Sequence, residues 1–101
     1  MLSDEEILAK DYGYWGNIRK RSLYEYRPGE WGLLQDMDRL EYYLEKVNAE
    51  YTAKERYKLD IMLKRFCVDE ELKRLDAVAW KKRYDRTREY VRKNLREELE
   101  R

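Results

Sequence analysis

The chain has 101 residues, 45% of them charged, with 23 basic and 22 acidic side chains and a net charge of +1. A mean hydropathy of −1.10 and the absence of any long uncharged apolar run exclude a membrane-spanning helix, which needs about 20 such residues. Apolar residues still reach 43% and aromatics 14%, enough to line a modest core, so one folded domain with a heavily charged exterior is expected rather than a disordered chain.

Four Gly and one Pro leave little material for hairpin turns, and Leu, Glu, Lys and Arg dominate. These residues lose little side-chain freedom in a helix, so the fold class expected is all-α, a small bundle of four to five helices over residues 1–101. The opening MLSDEEILAK is acidic where a signal peptide is basic and then apolar, which makes a cytoplasmic location the expectation. The single Cys67 fits a reducing compartment and, between Phe66 and Val68, reads as a small buried hydrophobe.

In chain order, Ser3 and Glu6 form a capping-box pattern that starts a first helix over residues 4–10, ending before Gly13. Residues 11–32 carry six of the fourteen aromatics, all four Gly and the only Pro. A further turn or two of helix near residues 17–24 closes at Arg27-Pro28-Gly29. Leu33, Met37, Leu40, Leu44 and Val47 then recur at spacings of four and three, one stripe of a helix stopping at Asn48. Thr52 and Glu55 repeat the capping pattern before Leu59, Met62, Leu63 and Phe66, so residues 33–66 are expected to form an antiparallel helical hairpin.

Asp69 caps a third segment, residues 69–99. Its inward register of Leu72, Leu75 and Ala79 lands next on Lys82, Arg83 and Arg86, and the apolar seam resumes one residue out of step as Trp80, Tyr84, Val91, Leu95 and Leu99. Such a shift requires either a rotating buried face or a break, and a break near residues 76–78 or near Asp85 is favoured.

Catalysis is not expected. There is no His, which removes the commonest general base and zinc ligand, and no Gly-rich phosphate loop or calcium loop occurs, so neither cofactor nor metal is called for. Charge points instead to binding. Residues 73–96 hold ten basic and three acidic side chains, net +7; residues 1–50 are net −4 and residues 51–101 net +5. A helix presenting Lys81, Lys82, Arg83, Arg86, Arg88, Arg92 and Lys93 suits phosphate neutralisation on a groove. A solvated helix face balanced by nearby carboxylates is the plainer alternative, and a sequence pI near 7.7 is lower than most DNA-binding domains show.

Three stretches carry a family likeness: Thr52-x-x-Glu55-Arg56; Asp69-Glu70-Glu71-Leu72-x-x-Leu75; and Arg86-Thr87-x-x-Tyr90-Val91-Arg92-x-x-Leu95-x-x-Glu98-Leu99. Their order resembles the helix-turn-helix of sigma-factor region 4 and of small phage transcriptional regulators built on it. The resemblance covers the C-terminal half and implies a support helix, a positioning helix, a turn and a recognition helix in the major groove. The family's turn carries a Gly, whereas Leu75 is followed here by Asp76-Ala77-Val78-Ala79-Trp80. A turn at residues 76–78 makes residues 80–88 the reading surface; a match at Arg86-Thr87 requires extra residues before it.

A second reading belongs to another class. Tyr, Trp and Arg concentrate where protein interfaces gain most of their energy. Tyr14, Arg19, Arg21, Tyr24 and Tyr26 in the aromatic-rich segment 1–32 therefore suit a protein-binding inhibitor or adaptor of the phage type. Trp15 and Trp31 read better as rings capping the bundle. Self-association as a homodimer through the C-terminal helix is a third possibility, and membrane-surface binding fits poorly because the apolar side of that helix is needed for the core.

Overall fold

The computed structural model describes residues 1–100. Among them are six helices and no strands: α1 (Asp4–Ala9), α2 (Gly13–Tyr26), α3 (Pro28–Asp36), α4 (Leu40–Arg65), α5 (Glu70–Leu75) and α6 (Ala77–Leu99). The chain divides into two compact units, Met1–Thr52 and Ala53–Leu99, with α4 contributing to both.

In the first unit, the Ser3–Glu6 capping box forms, with reciprocal bonds of 3.1 and 3.2 Å. Segment 11–32 is far more helical than its Gly content suggests. Asp11 accepts from the Gly13 N–H and from Asn17 Nδ2, both at 2.8 Å, while Asn17 Oδ1 accepts from the Tyr12 N–H. This local network starts α2 where Tyr12 offers no cap of its own. Asn48, expected to stop a helix, lies inside α4, and its side-chain oxygen accepts from the Trp15 and Gly16 N–H groups at 3.2 Å each. It serves as a cap lent by a different helix. Such close approach needs small residues: a Cβ on Gly16 would sit 2.8 Å from Tyr12 Cβ and 3.1 Å from the Leu44 carbonyl oxygen.

Pro28 opens α3 instead of closing a turn, at the position where its missing N–H costs nothing. The helix expected over 33–48 is interrupted. Asp38 takes φ +53, its N–H meets the Gln35 carbonyl, and the Arg39 N–H meets the Leu34 carbonyl at 2.9 Å, the bonding of a Schellman stop. Leu33 and Met37 are consequently exposed and leave the expected stripe, while Leu40, Leu44 and Val47 keep it.

The expected hairpin over 33–66 does not form, because α4 runs unbroken through the proposed loop and through Thr52-x-x-Glu55. Helix-favouring residues on both sides of Asn48 allow this, and Asn48 and Glu55 spend their side chains on partners distant in sequence. The core here joins Ile7, Tyr12, Leu23, Trp31, Leu40 and Leu44, flanked by Leu2, Leu8, Leu34 and Tyr43. Trp15 and Trp31 are both buried, Trp31 within this cluster and Trp15 against the rings of Tyr14 and Tyr51.

Several polar side chains of this unit are buried against partners, whereas the buried Trp15 Nε1 meets none among the described residues. Lys20 Nζ donates to the Leu8 and Lys10 carbonyls at 2.9 and 2.7 Å, placing its charge at the carbonyl end of α1, where the helix dipole favours it. Trp31 Nε1 and Gln35 Nε2 both donate to Asp4. Tyr12 donates its hydroxyl to Glu41, which also pairs with Lys10 at 2.6 Å.

In the second unit, α4 ends at a second Schellman stop. Cys67, at φ +56, holds the position usually given to Gly, with Cys67 N–H on the Lys64 carbonyl and Val68 N–H on that of Leu63. The turn buries Val68 and leaves Phe66 and Cys67 exposed, so neither is the core residue the sequence suggested. Asp69 caps α5 through the Leu72 N–H at 2.9 Å. The break between α5 and α6 is a single residue, Asp76 at φ −152 and ψ 85, whose carboxylate caps α6 at the Ala79 N–H. Leu75 is exposed, and the buried seam of α6 is Thr87, Val91, Leu95 and Leu99.

Candidate nucleic-acid interface

Helix α6 has one face bound to the protein and one face left to solvent, and its cations divide between them. Residues 87, 91, 95 and 99 recur every four positions, so the far side falls near residues 82, 86, 89 and 93. Lys82, Arg86 and Lys93 occupy it with Glu89 between them, and Arg83 lies to one side. Lys82, Arg83, Arg86 and Lys93 are exposed and Arg88 is half-buried. Among the described residues, no ion pair within 4 Å engages any of the five.

Two cations named from sequence are placed otherwise. Arg92 pairs with Glu55 of α4, each side chain only 15% exposed. Lys81 pairs with Asp85 one turn along, at 3.3 Å on an open surface. The fork of Arg92 ties α6 to α4, alongside Lys54 and Lys58 on Glu98 at 2.7 and 3.8 Å. Trp80 and Tyr84 stack at 5.2 Å near the start of α6, and Lys73 lies over the Trp80 ring.

A shallow groove of about 280 Å³ borders the cationic side, lined by Phe66, Val68, Arg83, Arg86, Thr87 and Tyr90. Phe66 and Tyr90 are 52% and 51% exposed. Phe66 is thus not the core residue its helical spacing suggests, and Tyr90, which appears in the family likeness, is not among the contact residues expected from sequence. The available signal was the spacing of Arg83, Arg86 and Tyr90 at i, i+3 and i+7, which puts them on one side of a helix.

The aromatic set of segment 1–32 is split by the fold. Arg19 is buried, its Nε donating to the Tyr43 hydroxyl at 2.9 Å. Tyr14 and Tyr24 are exposed but set edge-on against Trp15 and Trp31, at 5.0 and 5.1 Å. Arg21 and Tyr26 project freely into solvent.

Among the described residues, no three His, Cys, Asp or Glu gather to hold a metal, and no helix is long and apolar enough to cross a membrane. The class defined by the fold is an all-α protein. No family model, curated protein or solved structure matches the chain.

Proposed function

We propose that the protein is a small non-catalytic regulator that binds DNA, alone or within a transcription complex, through the outward side of α6. One observation carries this reading: Lys82, Arg83, Arg86 and Lys93 stand exposed, with no carboxylate among the described residues within 4 Å. Positive charge left unneutralised by the protein itself is what a phosphate backbone exploits, because each contact releases condensed counterions. A helix about 10–12 Å across also matches the width of a major groove. The likeness of the C-terminal half, residues 52–99, to a sigma-type helix-turn-helix is in keeping with the same reading if α5 serves as the positioning helix, the break at Asp76 as the turn and α6 as the recognition helix.

The test is retardation of a short duplex across a salt series. Four phosphate contacts predict log K falling against log salt with a slope of about −3 to −4. K82E/R86E/K93E should abolish retardation with helical content intact, and failure of the unmodified protein to retard duplex at about 50 mM salt would refute the reading.

Exposure of Arg21 and Tyr26, with Tyr14 and Tyr24 of the same helix partly exposed, supports the second reading, a protein-binding adaptor. Its prediction is separate: Y14A/R21A/Y26A would abolish capture of a protein partner without altering DNA retardation.

A further inference from the structure

We infer that the groove between the end of α4 and α6 takes unstacked bases of single-stranded nucleic acid, with Phe66 and Tyr90 as stacking surfaces and Arg83 and Arg86 holding the adjoining phosphates. This rests on the nucleic-acid reading of α6 and adds to it the form of nucleic acid and the residues that touch bases. The Schellman stop at Cys67 turns Val68 inward as the groove floor and leaves the Phe66 ring outside. Across from it, Arg83, Arg86, Thr87 and Tyr90 share one side of α6. The Thr87 hydroxyl donates back to the Arg83 carbonyl at 2.7 Å, so that side chain meets an occupant mainly with its methyl group.

Neither Phe66 nor Tyr90 contacts another aromatic ring among the described residues, and each side chain keeps about half its surface exposed on the groove. Aromatic rings half in water beside unpaired guanidinium groups suit a ligand that is flat and apolar in one part and anionic in the next. An acidic peptide supplies both kinds of group in the groove itself. The cationic stripe, however, continues beyond the groove through Lys82 and, past the single carboxylate of Glu89, Lys93, about 16 Å along the helix. A nucleic-acid strand carries both a charge and a flat ring on every nucleotide, whereas the charged units of an acidic peptide have no ring to stack.

The experiment measures anisotropy of a labelled oligothymidine of about 12 nucleotides with the full-length protein at low salt, against an abasic strand of equal length and against a duplex. Stacking predicts that the thymidine strand binds about ten-fold more tightly than the abasic one. F66A/Y90A should bring the two within about two-fold of each other, far-UV circular dichroism reporting on folding. Because the abasic comparison uses the unmodified protein, it stands even if that variant fails to fold. Equal affinity for the two strands overturns the inference while duplex retardation leaves the broader reading intact; binding of neither strand nor duplex overturns both. Displacement of the thymidine strand by polyglutamate as readily as by unlabelled strand assigns the groove to an acidic polypeptide and also overturns it.

Discussion

Arg92 and Glu55 meet across 37 positions of sequence, each side chain largely withdrawn from solvent. One of the seven cations that the sequence offers to a nucleic acid is therefore a clamp between α4 and α6. Glu55→Ala should lower stability by about 2 kcal/mol, because it removes a carboxylate from beside a guanidinium largely withdrawn from solvent, while E55L/R92M should recover most of the loss. Urea midpoints decide this. The exposed Lys93, one residue further on, should behave oppositely: Lys93→Gln weakens duplex retardation and leaves the midpoint unchanged.

Acid should unfold the first unit through identifiable groups. Hydrogen bonds from Trp31 and Gln35 hold Asp4 below the usual carboxylate range, those from the Gly13 N–H and Asn17 do so for Asp11, and those from Lys10 and Tyr12 for Glu41. The unfolded chain takes up protons at these sites first as pH falls, so stability is complete above about pH 5 and declines as pH drops through the folded values. Asp4→Asn should flatten part of that decline in thermal midpoints measured between about pH 2 and 6.

Tyr12 governs the alkaline side in the opposite sense. Burial, and then its hydrogen bond to the Glu41 carboxylate, push its phenol well above the ordinary value near 10. The unfolded chain loses this proton first as pH rises. The associated stability is full below about pH 10 and is lost above it. Tyr12→Phe should reduce that loss, read as a shallower fall in thermal midpoint above about pH 10.

Glycine substitutions should divide by position. Gly13 has φ +87, and a Cβ there would lie 2.4 Å from Asn48 Oδ1, so Gly13→Ala should cost about 2 kcal/mol or more. Gly29 and Gly32 lie in α3 with nothing within 4 Å of an added Cβ. Alanine at either should stabilise by about 0.5–1 kcal/mol, checked by thermal or urea denaturation.

Cys67 should be a reactive thiol in the native state. Its exposed side chain predicts stoichiometric labelling by a thiol reagent without denaturant, where a buried Cys would be protected. Since it also holds a left-handed backbone position, Cys67→Gly should add about 1 kcal/mol to stability.

What could be read from the residues alone was whatever depends on neighbours in sequence. Helical character follows from composition, the Ser3 and Asp69 caps from side chains three positions from their targets, and the break in the last segment from a one-residue slip in the apolar register. Several boundaries escaped because their signals are ambiguous without packing. The stops at Asp38 and Cys67 use left-handed residues that are not Gly, and a non-glycine residue gives little warning of that conformation. Asn48 and Thr52-x-x-Glu55 look like an ending and a beginning, yet Asn48 and Glu55 act on helices 32 to 37 residues away.

The same division holds for the interface. Sequence located a surplus of positive charge in residues 73–96, since charge is additive and needs no fold. Which of those charges are already neutralised, and which aromatic rings stand beside the remainder, depends on what α4 presents to α6, a matter of distance that only the tertiary structure decides.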